Sequence, residues 1–291
     1  MKLLAKLNLI LIVVFALALV PAAMVSRTLL NRNAEAQVIQ NARIMMETAM
    51  AMRGYTVTQV KPLLAEQMEQ TFLPQSVPAY SATEIFNKLR EDHPEYTYKE
   101  ATLNPTNPRN RAVDWETDLV NEFRRNADRN EIVGERDTPL GRALYLSQPI
   151  KISNEACLSC HTTPEEAPQP MLAAYPGGGG FGWQMDEIIG AQIVQVPMNT
   201  PIAMADDAFR TLLMTLVAVF LVVLVVLNVL MHFVVVRPIT RLSGLAERVS
   251  QGETDVEDFA VKGGDEVAVL GESFNRMRIS LAKAMNMLEG E

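Results

Sequence analysis

The sequence predicts a chain of mixed α/β class. An exported domain of helices followed by late antiparallel strands lies between two membrane-spanning helices, and a pair of cytoplasmic helices comes last. Three observations carry this prediction. Two long apolar runs divide the 291 residues. The segment between them shifts from helical spacing to alternation. Behind the second run, apolar residues recur three and four apart in two blocks. A chain this long holds more than one domain. Its net charge of -8, without a basic stripe, argues against nucleic acid as a partner.

The first run is Leu7 to Val25. As a helix it measures about 28 Å, enough to cross a bilayer core. Lys2 and Lys6 precede it, which sets the N-terminus inside. Val20-Pro21-Ala22-Ala23 offers the alternative of a cleaved signal peptide, and both readings export the segment behind it. The second run, Thr211 to Val236, measures about 37 Å as a helix. Asn228 and His232 are its polar members, and Arg237 and Arg241 behind it also face the cytoplasm. The expected division is an anchor at 1–29 with its span at 7–25, an exported domain at 30–209, a second span at 210–236, and a cytoplasmic segment at 237–291.

Within the exported domain, Glu35 to Arg53 has helical spacing, with Val38, Ala42, Met45, Ala49 and Met52 on one face. Pro62 ends or bends this helix. The stretch from Phe72 to Pro78 is a loop, and Ser81 is positioned to cap a short helix through Ile85 and Leu89. Tyr96 to Leu103 predicts a strand, Asn104-Pro105-Thr106-Asn107-Pro108 a turn, and Asp114 to Asn126 a helix. Strands come next at Ala143 to Ile152 and Ile188 to Val196. Pro149 argues for an edge position of the first of these. The order suggests a PAS-like domain.

Cys157-Leu158-Ser159-Cys160-His161 contains the only two cysteines of the chain. C-x-x-C-H is the attachment pattern of a covalent c-type haem, with the histidine as an axial ligand. The competing readings are a disulfide, a redox C-x-x-C and half of a zinc site. A closed zinc site needs four ligands, and the chain's other histidines are His93 and His232. A redox motif would accompany a βαβ pattern, which is not evident. Gly177-Gly178-Gly179-Gly180 lacks the G-K-[ST] of a phosphate cradle and reads as a flexible or tightly approaching loop.

Arg53-Gly54-Tyr55-Thr56 with Pro62-Leu63-Leu64 resembles the first-helix region of a family of exported c-type haem PAS-like sensor domains. Ile85, Phe86 and Leu89 before His93-Pro94-Glu95-Tyr96 are similar to its next element. So are the turn from Asn104 to Pro108 and Phe181-Gly182-Trp183. The resemblance covers roughly residues 30 to 205 and implies a covalent haem and a redox- or gas-responsive role, not an enzyme and no catalytic residues. Members of the family can take a second axial ligand from sulfur on the first helix. Here no third cysteine exists, so a thiolate is excluded. Met46 and Met50, one turn apart, are then the first candidates, against a plain core role. Met45 and Met52 share that helix, His93 is a weaker candidate, and an open distal site is the remaining reading. Arg53 is a candidate partner for a haem propionate, against the reading of a solvated helix arginine.

After Pro238, Ile239, Leu242, Ala246 and Val249 form one seam. Val267, Leu270, Phe274, Met277, Leu281, Ala284 and Leu288 form another beyond a connector from Gly252 to Gly264. Pro238, Gly264-Asp265-Glu266 and Phe274-Asn275-x-Met277 resemble a HAMP domain over about residues 237 to 285. That resemblance implies a parallel homodimer. The whole reads as a receptor in the cytoplasmic membrane, in contact with lipid and acting on a cytoplasmic kinase or another signalling output protein. The alternative is a membrane-anchored c-type cytochrome for electron transfer. A third reading is a small-molecule sensor whose haem is structural.

Overall fold

The computed structural model describes residues 3–253, 256–260 and 263–289. Lys2 and parts of the predicted connector lie outside them, as does the side chain of Leu288. The chain divides into two compact units, one of residues 26–209 and one of 1–25 with 210–291.

The first unit is built on helix α1, Leu3–Tyr55, which continues unbroken from the first apolar run. Pro21 does not interrupt it. Past Tyr55 the helix widens into a π-turn, Thr56–Val60, before the short helices α2, Lys61–Leu63, and α3, Ala65–Met68. Pro62 has no N–H for the carbonyl four residues back, and its ring crowds that turn, so the helix loosens just ahead of it. Helix α4, Pro78–Asp92, starts three residues earlier than its sequence signal, on a proline at its first position. The Ser81 hydroxyl instead donates to the Gln75 carbonyl at 2.9 Å.

The sheet has four strands: β1, Thr97–Thr102; β2, Ile132–Thr138; β3, Gly141–Lys151; and β4, Ile188–Pro197. Their order is β1-β4-β3-β2, with antiparallel pairing throughout. β3 therefore lies inside the sheet rather than at its edge. Pro149 nevertheless sits beyond the last β2 partner, Ile132 opposite Ser147, where β3 is bordered by β4 alone. The proline's missing donor is tolerated for the predicted reason, at the scale of one residue. β2 escapes recognition from sequence because Gly134, Glu135, Arg136 and Asp137 dilute its alternation. Gly134 is needed there, since a Cβ would fall 2.4 Å from the hydroxyl of cross-strand Tyr145.

Each face of the sheet carries helix. Val38, Ala42, Met46 and Ala49 of α1, with Ala82 and Phe86 of α4, pack on Tyr98, Leu144, Leu146, Val194 and Val196. Helix α5, Asp114–Arg125, covers the other face with Leu119, Val120 and Phe123 against Ala101, Ile132, Ala191 and Ile193. The alternation of side chains across each strand splits the residues between these layers. Between β3 and β4 lie the short helices α6, Glu155–His161, and α7, Gln169–Ala174.

In the second unit, the early part of α1 runs beside helix α8, Asn199–Met231. Both helices are long and apolar enough to cross a membrane. A second π-turn, His232–Val236, again precedes a proline, Pro238 in helix α9, Arg237–Ser250. Helix α10, Glu266–Glu289, completes the pair. Leu242, Leu245 and Val249 of α9 and Phe274 of α10 enclose Val256 and Phe259 of the connector. Asn275 pins that connector: its Oδ1 accepts from the Phe259 N–H and its Nδ2 donates to the Phe259 carbonyl, both at 3.0 Å.

Candidate functional site

The site grows from α6. Asn154 caps it, its side-chain oxygen accepting the Ala156 N–H at 2.8 Å. Within this helix, Cys157 and Cys160 are three residues apart and so share a face. Both are free, half-buried thiols. His161 closes the helix. Its ring stacks on Trp183, with centroids 3.8 Å apart and planes 18° from parallel. Its Nδ1 lies 2.7 Å from the Gly180 carbonyl. A carbonyl oxygen only accepts, so Nδ1 carries the proton and Nε2 presents a lone pair. Burial pushes the imidazole below its ordinary pKa, opposed in part by the Gly180 hydrogen bond. A neutral, oriented imidazole is the form that binds a metal.

The loop that holds the ring is built from sequence features that lie far apart. Gly182 N–H donates to the Thr162 carbonyl at 2.8 Å, and Trp183 N–H to the His161 carbonyl at 3.2 Å. Gly180 has φ +86°, and a Cβ there would fall 2.1 Å from the Thr106 hydroxyl oxygen. At Gly179 a Cβ would fall 1.9 Å from Asn104 Oδ1. The glycine run is thus the tightly approaching kind. It threads between the turn at Asn104 to Asn107 and the histidine.

Of the other sequence-predicted residues, Arg53 reaches this region from the last turn of α1, and Cys157 lies within electrostatic reach of it. It is not a solvated arginine. Its Nη1 donates to both carboxylate oxygens of Glu100, each at 2.5 Å. Tyr98 donates to the same carboxylate at 2.7 Å. Burial acts to lower the guanidinium pKa, but the Glu100 charge prevails and raises it. Burial beside that carboxylate likewise holds the Tyr98 phenol well above its ordinary range. Sequence reasoning misses Glu100 and Tyr98. The available signal is a carboxylate on the core face of a predicted strand, which must find a partner.

The two methionines separate. Met46 is 1% exposed and embedded in the core beneath α1, whereas Met50 is 46% exposed. His93 ends α4 at the surface, 3.8 Å from Glu95. Among the described residues, no three His, Cys, Asp or Glu side chains converge as a metal cluster. Two thiols on one helical face beside an imidazole with an uncommitted Nε2 fit a covalently held haem better than a closed zinc site.

The fold and this site define a sensor-type α/β domain joined through an apolar helix to a two-helix relay. The sequence matches the Tll0287-like family over residues 31–197 and the HAMP domain over residues 230–283. The chain belongs to the Tll0287-like family and carries a HAMP domain after its second long apolar helix. Among solved structures it is similar to the crystal structure of the cyanobacterial heme-protein Tll0287. The identity is 14% and the TM-score 0.43, over 55% of this chain and 94% of that one. No curated protein gives a significant match. A sensor domain of this family coupled to HAMP points to a signal-transducing receptor.

Proposed function

We propose that the chain is a dimeric haem receptor of the cytoplasmic membrane, with residues 26–209 exported and the HAMP pair in the cytoplasm. It relays a redox or gas signal to a separate cytoplasmic output protein, a kinase or another signalling component. Cys157 and Cys160 would hold the haem covalently, and His161 would supply an imidazole nitrogen to its iron. The observation that carries this reading is the His161 ring, fixed by Gly180 and Trp183 beside the two free thiols. When bound, the haem would supply a one-electron couple and an iron able to bind ligands. The protein's own part is to keep His161 neutral and oriented. Arg53, whose Nη1 is engaged by Glu100, would pair with a propionate through guanidinium donors that Glu100 does not take. Met46 or Met50 would supply a sulfur ligand, and the thioether of Met50 is the more accessible of the two.

Exposed apolar residues of the relay support the dimer. Ile239, Leu270 and Met277 line a groove between α9 and α10 that one copy leaves open. A second copy buries it in a four-helix bundle.

The test is an optical spectrum of the full chain, made in a host with c-type haem maturation and recorded oxidised, reduced, and reduced with carbon monoxide. Haem that stays on the chain after denaturation is expected, and its loss on denaturation would overturn covalent attachment. A change with carbon monoxide selects gas sensing. An unchanged six-coordinate spectrum selects redox sensing. Rapid electron exchange with a soluble cytochrome would favour the electron-carrier alternative.

A further inference from the structure

Two asparagines in the paired apolar helices form a reciprocal amide pair. Asn8 Nδ2 donates to Asn228 Oδ1 at 3.0 Å, and Asn228 Nδ2 donates to Asn8 Oδ1 at 2.7 Å. Asn228 Nδ2 also donates to the Leu224 carbonyl at 2.8 Å. Phe15 stacks on Phe220 with centroids 3.8 Å apart and planes 12° from parallel. Moving from Asn8 to Phe15 along α1 runs backward from Asn228 to Phe220 along α8, so both contacts belong to one antiparallel register. The pair lies one turn before the π-turn His232–Val236 that leads into the relay.

We propose that Asn8 and Asn228 form a register lock between the two spans of one protomer. The inference rests on the membrane reading above. Asn8 is the second residue of its span, at the edge of the hydrocarbon, where little water replaces a lost amide partner, so breaking the pair leaves donors and acceptors on both helices poorly satisfied. A slide of α8 along α1 by one turn, about 5.4 Å, breaks both reciprocal bonds. A tilt of α8 that pivots on this point keeps them. The lock therefore lets a signal pass as a pivot of α8 and opposes a sliding stroke. The stacked phenylalanines select the same register but carry no polar penalty, so alone they would permit slippage.

The test uses the full chain in phosphatidylcholine–phosphatidylglycerol nanodiscs, with Cys157→Ser and Cys160→Ser so that only introduced thiols react. Leu11→Cys with Leu224→Cys, both half-buried, forms the in-register pair. Leu7→Cys with Leu224→Cys forms the pair slipped by one turn. With both asparagines present, the in-register pair is expected to close within one chain at least fivefold faster than the slipped pair. Asn8→Leu with Asn228→Leu leaves no orphan amide and should insert normally. In that background the two closure rates are expected to converge. An undiminished in-register preference would overturn the lock and assign register to packing. Disulfides joining two chains would overturn it by placing the amide pair between protomers. Carbonate extraction is run on every variant. Release of the unmodified chain from membranes would overturn the membrane reading itself, a result distinct from either disulfide outcome.

Discussion

Glu100 shows how one residue ties the site to the fold. Strand alternation turns Tyr98 and Glu100 to the same face, toward α1, and Glu100 is 3% exposed there. Arg53 is the charge that makes this burial tolerable. Arg53→Leu is expected to destabilise the protein by about 3–5 kcal/mol, because it leaves a buried carboxylate unpaired. Denaturant unfolding of the 26–209 unit checks this, and adding Glu100→Gln to Arg53→Leu should recover part of the loss. The methionines make a second contrast. Met46→Ala should cost about 2–5 kcal/mol as a core truncation, while Met50→Ala should change stability by less than about 0.5 kcal/mol. An altered spectrum of the haem-loaded protein in Met50→Ala alone would identify Met50 as a ligand. Sequence spacing puts the two methionines one turn apart, yet only Met46 is buried. The buried stripe runs through Met46, Ala49 and Thr56 and turns around α1 away from Met50, and spacing alone does not fix which side of the helix that stripe takes. The Cys-x-x-Cys-His set stands out as a candidate because its residues are adjacent in sequence. The carboxylate holding Arg53 does not, because that pairing forms only when β1 docks on α1.

At the scale of elements, most helices and three of the four strands are legible from periodicity and turn residues. Helix α1 is legible in two pieces, a span and an amphipathic helix. Nothing between them breaks the helix, so they are one element from Leu3 to Tyr55. Both π-turns precede prolines, and both mark places where a long helix passes into a differently packed segment. Pro62→Ala should therefore restore regular α-helix through Thr56–Val60, gaining backbone hydrogen bonds at the cost of the geometry beyond Arg53. Helicity by circular dichroism would rise slightly if so. The glycine loop makes a sharper prediction. Gly180→Ala puts a side chain at φ +86° into Thr106 and should release the His161 ring. The fluorescence of Trp183, now stacked on that ring, should shift, and the yield of attached haem should fall. The sequence identifies this run as a loop, but its purpose depends on the turn at Asn104, which is distant along the chain.

At the scale of the whole molecule, the apolar seams of α9 and α10 are only partly used within one chain. Leu242, Val249 and Phe274 are buried, while Met277 is 57% exposed. Met277→Glu should leave the single-chain pair folded but weaken self-association. Sedimentation of the full protein in detergent is expected to shift from dimer toward monomer. The heptad spacing announces the seams, but spacing alone does not separate residues that pack within a chain from those left exposed on it.

One junction has a mechanical consequence. Strand β4 is buried almost along its whole length, and it passes to α8 with only Met198, itself 2% exposed, between Pro197 and Asn199. Such a joint has no play. No loose tether stands between the central strand and the start of the helix. Four residues of Gly-Ser inserted after Met198 would add the missing backlash. The haem spectrum should survive that insertion, and any response of the α9–α10 pair to the haem should not.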